Sequence, residues 1–238
     1  MSDDFRCGYV AVVGRPNVGK STLTNRMVGA KVSITSRKAQ TTRHRVHGIL
    51  TTADAQLIFV DTPGFQRQHV NALNRMMNRT VTTALADVDA VVMVVDAGRW
   101  GSGEREILEL LPEGVPVFLA INKIDRLADR ASLLPFIESA SREREFAAIV
   151  PVSAERGDGV AGLIAEVGRR LPHGAPIFDA DDFTDRPERF LAAEILREKL
   201  FRNLGEELPY GIAVEVEKFE QEGALRRIFA AVIVDKAA

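Results

Sequence analysis

Gly14-Arg15-Pro16-Asn17-Val18-Gly19-Lys20-Ser21 decides how this chain is read. Gly-x-x-x-x-Gly-Lys-Ser is the pattern of a phosphate-binding loop. Its flanks fit that reading, because the apolar run from Tyr9 to Val13 has the character of a strand and residues 21–28 that of a helix. The chemistry requires this order. Glycines let the backbone wrap an anion with successive N–H groups turned inward, and the helix behind adds the positive end of its dipole. Lys20 then reaches the β- and γ-phosphates, and the hydroxyl of Ser21, followed by Thr22, is offered to Mg²⁺. The match specifies a nucleotide polyphosphate and leaves base, reaction and partner open.

Outward from the loop, apolar runs alternate with amphipathic ones. Strands are expected at residues 7–13, 46–51, 56–60, 90–95, 116–121 and 148–152, and helices at 21–28, 70–86, 104–110, 131–144 and 160–171. The runs around Val91, Val117 and Ile149 are almost wholly apolar, as in strands covered on both faces by helices. The expectation is an α/β domain with a mostly parallel, doubly wound sheet over residues 1–172. Pro172-His173-Gly174-Ala175-Pro176 breaks the last helix, and residues 173–187 read as a linker. Residues 188–238 add one helix and two alternating runs, thin for an independent core.

Composition bounds the function. The chain has 238 residues, 46% hydrophobic and 27% charged, with net charge -2. That balance gives no global attraction to nucleic acid. The single cysteine, Cys7, cannot form an internal disulfide, so a reducing, cytoplasmic setting is expected. No run is long and apolar enough to span a membrane.

Three further motifs carry chemistry. Asp61-Thr62-Pro63-Gly64 follows an apolar strand. There a carboxylate can hold Mg²⁺ through water, and the N–H of Gly64 can approach a γ-phosphate. Standing alone it would be a capped turn. Asn122-Lys123-Ile124-Asp125 also ends a strand. The Asp125 carboxylate can accept two N–H donors from the Watson–Crick edge of guanine, a pair adenine lacks. Asn122 can bond the Hoogsteen edge and brace the phosphate loop, and the Lys123 stem can lie on the ring. Ser153-Ala154-Glu155 is weaker: a backbone N–H there can reach guanine O6, but serine after a strand is also an ordinary helix cap. Between the first helix and second strand lies a basic loop with Gln40-Thr41-Thr42-Arg43. Thr42, rather than Thr41, is taken as the residue that would ligate Mg²⁺ and the γ-phosphate together, the behaviour of a switch.

In this order, the motifs resemble the translation-factor-like branch of P-loop GTPases. Arg15-Pro16-Asn17-Val18, residues 37–45, Asp61-Thr62-Pro63-Gly64-Phe65 and the tail segments at 188–199 and 206–210 narrow the resemblance to the Era family of bacterial GTPases. The resemblance covers essentially the whole chain. It implies GTP/GDP and Mg²⁺ as ligands and a monomer. It implies a role in assembly of the small ribosomal subunit, and a C-terminal KH domain that binds the subunit's ribosomal RNA. It also implies peripheral association with the inner face of the plasma membrane, for which no anchor is visible. KH domains clamp RNA with a Gly-x-x-Gly loop. No such loop follows Ala238, so residues 188–238 are expected as a partial KH-like α+β unit of a truncated chain, binding RNA more weakly than a form with the loop.

Phe65 stands where many regulatory GTPases place a water-orienting glutamine, so intrinsic turnover is expected to be slow. In related GTPases lacking the glutamine, an asparagine at the position of Asn17 helps bind K⁺. The other reading of Asn17 is a turn residue tolerating a left-handed backbone. Two rival functions are an RNA-binding module with a structural nucleotide site, and a GTPase with another client. His44, His47, His69 and His173 form no zinc-ligand pattern, and Trp100 reads as a packing residue.

Overall fold

The computed structural model describes residues 4–35, 46–62, 81, 83–203, 212–223 and 225–234. The expected helix at 70–86 lies mostly outside them, although residues 83–86 are helical. Also outside are Thr41, Thr42, Pro63, Gly64 and Phe65. The described chain divides into two compact units. The first holds residues 1–33 and 39–185, the second 34–38 and 186–238.

The first unit is built on one six-stranded sheet. Its strands are β1 (Arg6–Val13), β2 (Val46–Thr51), β3 (Ala55–Asp61), β4 (Ala90–Asp96), β5 (Val117–Asn122) and β6 (Ala148–Pro151). Their order is β2-β3-β1-β4-β5-β6, with only β2 antiparallel to its neighbour. Among the described residues it also carries helices α1 (Lys20–Val28), α2 (Ser102–Leu108), α3 (Leu133–Ser141) and α4 (Val160–Gly168). The wholly apolar character of β4 and β5 is explained by burial: every residue of β5 and all but the last of β4 is inaccessible to solvent. One face of the sheet packs Val91, Met93, Leu119 and Ile121 against Ile107, Leu111 and Ala140.

The helix expected over 131–144 is shorter and begins differently. Asp129 accepts a hydrogen bond from the amide of Ala131, which closes a 3₁₀ turn (Arg130–Ser132) before α3 starts. Pro135 then falls in the first turn of α3, where its missing N–H costs little. Similarly, α2 starts two residues early, because the buried Glu104 carboxylate accepts the amide of Gly101 at 2.9 Å and caps the helix.

Residues 173–185, expected as a linker, run along the first unit. Arg6 bridges to His173 and Gly48 to Thr184. Gln56, fully buried on β3, holds this segment: its Oε1 accepts the amides of Ile177 (2.7 Å) and Phe178 (3.0 Å), and its Nε2 donates to Phe178 O at 2.9 Å. The Cys7 thiol donates to the same Oε1, and burial pushes its pKa up. Further along, the His47 ring faces Asp185 at 2.8 Å.

The second unit contains α5 (Glu188–Asn203) and the antiparallel pair β7 (Ile212–Glu222) and β8 (Leu225–Val234). Ile212 and Val216 are buried while Ala213, Glu215 and Glu217 are exposed, which is the alternation read from the sequence. A bulge lies between Val216 and Lys218, and the Arg189 guanidinium donates to the carbonyls of Val216 and Glu217 there. On β8, Leu225, Ile228, Phe229, Val232, Ile233 and Val234 are exposed.

Gln56→Leu would remove the partner of two part-buried amides and one carbonyl, each bond contributing about 1 kcal/mol. The expected outcome is a loss of about 3 kcal/mol in urea unfolding and new protease cleavage between residues 174 and 182. Cleavage and stability like those of the parent would show that this contact does not hold the segment.

Candidate functional site

The sequence-expected residues that are described gather at one end of the sheet. The phosphate loop leaves β1, Asp61 ends β3, Asn122 ends β5 and Ser153 follows β6. These are the carboxyl ends of parallel strands, flanking the point where strand order reverses between β1 and β4, the place where open α/β sheets hold ligands.

The loop's backbone is specified by contacts only glycine permits. Gly14 has φ +155°, and a Cβ there would lie 2.4 Å from Val94 O. Gly19 has φ +100°, and a Cβ would lie 2.3 Å from Asn122 Nδ2. Gly19 also starts α1 without any side-chain cap, and the first turn carries no acidic residue. The helix dipole and free amides are thus left for an external anion. Asn17 has φ 64° and is exposed, so the left-handed turn reading describes its backbone while its side chain faces solvent.

Lys20 is buried, and its ammonium donates to Gly14 O (3.1 Å) and Arg15 O (2.9 Å). Burial pushes its pKa down to about 8, partly opposed by Asp61. The Ser21 hydroxyl donates to Asp61 Oδ2 at 2.8 Å, and Asp61 is fully buried. Hydroxyl and carboxylate oxygens brought this close are hard donors suited to Mg²⁺. Thr62, expected among the nucleotide contacts, is buried and donates its hydroxyl to Val12 O at 2.8 Å.

At the other end of the cradle, Asn122 is nearly inaccessible. Its Nδ2 donates to Val18 O (2.8 Å) and its Oδ1 accepts the amide of Ala154 (2.9 Å). The brace on the phosphate loop is therefore present, and the Ala154 amide is already engaged. The Asp125 carboxylate accepts the Ser153 hydroxyl at 2.6 Å, a bond that holds its pKa below the usual carboxylate range. Ser153 also accepts the amide of Arg156 at 3.1 Å. Ser153 thus acts as more than a cap, since it orients the Asp125 carboxylate and favours its ionised form.

Three residues were not singled out from sequence. Arg26 on α1 donates to the carbonyls of Ala154 (3.1 Å) and Glu155. Glu104 pairs with Arg15 of the phosphate loop at 3.3 Å. Asp96 pairs with Lys123 at 2.8 Å. Only Asp96 left a sequence signal: it is acidic, ends an apolar strand and sits level with the end of the next one.

A family model described as 50S ribosome-binding GTPase matches residues 9–123. A Bordetella avium protein named GTPase Era is 54% identical over 99% of this chain and 79% of its own length. GTPase Era of Neisseria meningitidis is also 54% identical, over 99% of this chain and 77% of its own length. Two solved structures superpose with TM-score 0.91 at 39% identity, covering 98% of this chain and 80% of theirs. One is Aquifex aeolicus Era bound to GDP and AlF4⁻, the other Era with MgGDPNP and nucleotides 1506–1542 of 16S ribosomal RNA. Fold and site define a P-loop GTPase. At this identity and coverage, the chain belongs to the Era family of GTPases.

Two outcomes are expected. Lys20 binds phosphates only as an ammonium, and in the empty site it loses its proton near pH 8. GDP affinity should fall as pH rises through 8 to 9, and binding at pH 8.5 should take up protons, seen as buffer-dependent heat in calorimetry. Flat affinity without proton uptake would contradict the buried, depressed ammonium. Ser153→Ala should weaken GDP binding about fivefold, since one charge-assisted bond to Asp125 is lost.

Proposed function

We propose that this chain is a GTP-hydrolysing switch that acts in assembly of the small ribosomal subunit through ribosomal RNA. The observation that carries the nucleotide half is the Asn122 carboxamide, which ties the phosphate loop to the base-reading loop at the ends of parallel strands. The RNA half is supported by the Era structure holding a 16S ribosomal RNA fragment. We read residues 1–172 as the GTPase domain, 173–187 as the connection and 188–238 as a partial KH-like unit. The setting is cytoplasmic. Among the described residues no helix is long and apolar enough to cross a membrane, and peripheral association with the inner face of the membrane is what the family resemblance implies.

In this reading the amides of Gly14 through Thr22 and the Lys20 ammonium hold the polyphosphate. Ser21 would hold Mg²⁺ directly, as would Thr42, which lies outside the described residues, and Asp61 would hold it through water; the ion would supply positive charge to offset that of the phosphates. Asp125 accepts the two guanine donors and Asn122 fixes the loops around the base; for Ser153 or Ala154 to offer its amide to O6, that amide would have to be shared with Asp158 O or Asn122 Oδ1. Thr42 and Gly64 sense the γ-phosphate. Phe65 offers no hydrogen bond to the attacking water, so intrinsic hydrolysis is slow. Asn17, which is exposed, would help hold K⁺.

Base selection is tested by Asp125→Asn. The amide presents a donor to the 2-position where the carboxylate presented an acceptor, so preference should move from GDP to XDP by at least about a hundredfold. Unchanged preference would remove Asp125 from base reading. The K⁺ role is tested by multiple-turnover hydrolysis in K⁺ and Na⁺ at matched ionic strength. Faster turnover in K⁺, lost in Asn17→Ala, is expected; equal rates would sink it.

A further inference from the structure

We propose that Asp96 is a positioning residue for base recognition: it anchors the Lys123 ammonium so that the lysine stem is a pre-formed shelf for the purine ring. This rests on reading Asn122-Lys123-Ile124-Asp125 as the guanine element.

Asp96 is the last residue of β4 and Asn122 the last of β5, and the two are partners in the parallel ladder. Lys123 is therefore one step beyond the strand end that Asp96 faces. The amide of Ala97 donates to Asn122 O at 2.9 Å, and the amide of Arg99 to Asp96 O at 3.0 Å. These bonds fix the backbone of Asp96 from both sides. Its Oδ2 then accepts the Lys123 ammonium at 2.8 Å. At the other end of the same side chain, the Lys123 backbone is left-handed, with φ 66°. A non-glycine residue adopts that conformation rarely, and here it opens the turn that carries Asp125 to the Ser153 hydroxyl.

The Lys123 side chain is thus held at both ends, at its Cα and at its ammonium. An untethered lysine would give up rotamer freedom when a base settled on it, and that loss would weaken binding. Asp96 removes most of the loss beforehand. The side chains of both residues are only about one-fifth exposed (19% and 22%), so the pair is sheltered from the screening that makes surface ion pairs negligible. The alternative is that Asp96 is an ordinary strand-end ion pair, which would affect folding and leave nucleotide release alone.

The two differ in kinetics. Release of mant-labelled GDP and mant-labelled IDP is followed by stopped flow from the full chain, from Asp96→Ala, Asp96→Asn and Lys123→Met, and from the Asp96→Ala, Lys123→Met double variant. Asp96→Ala should release GDP on the order of tenfold faster, with Asp96→Asn intermediate. IDP, which lacks the 2-amino group read by Asp125, should be accelerated by the same factor, because the shelf meets the ring face and not its edge. In the Lys123→Met background, Asp96→Ala should add nothing. Unchanged GDP release in both Asp96 variants would overturn the proposal, as would an equal acceleration in the absence of Lys123. If the parent chain itself fails to prefer GDP to ADP, the guanine reading fails instead, a separate result visible before any substitution is made.

Discussion

A single buried carboxamide holds the site together. Asn122 donates to the phosphate loop at Val18 and accepts from the base loop at Ala154, while its own backbone closes β5. Gly19 exists to admit it, since any side chain there would collide with its Nδ2. Three segments far apart in sequence therefore have one relative position because one side chain satisfies a donor and an acceptor at once. In a site excluded from water, leaving either group unmade costs roughly 1–3 kcal/mol. The constraint is stiff because β5, which carries Asn122, and β4 beside it are buried.

Around that brace the electrostatics are arranged for an anion. Lys20 is held as a desolvated ammonium against two carbonyls, with the buried Asp61 partly offsetting the burial. The start of α1 carries no cap and no acidic side chain to compensate its dipole. Each of these features is unfavourable in the empty protein and is relieved by a polyphosphate. Conversely, Asp125 is stabilised in its charged form before any base arrives, by the Ser153 hydroxyl. The phosphate end is poised by a helix dipole that no side chain compensates, whereas the base end is poised by a hydrogen bond already made.

The sheet was legible in the sequence because burial on both faces writes itself as continuous apolar runs. The ends of those runs were legible as well, because Asp61, Asn122 and Ser153 interrupt them with polar groups. Helix starts were less so: Glu104 and Asp129 set them through side-chain hydrogen bonds that periodicity does not register. The supporting residues were the least visible. Arg26 meets residues 154 and 155 from another element, and Gln56 meets 177 and 178, so only the fold brings them together. Gln56 shows the general point, since a polar residue in an apolar strand reads as an outward-facing position until the segment that covers it is seen.

If Asn122 shapes the phosphate loop as well as the base pocket, its loss is felt by a ligand without a base. Titrating GDP and inorganic triphosphate separately against Asn122→Ala tests this, because the inorganic ligand has no base to lose. Both affinities should fall by about tenfold or more. Weakened GDP binding with inorganic triphosphate bound as tightly as by the parent chain would contradict it and reduce Asn122 to a base contact.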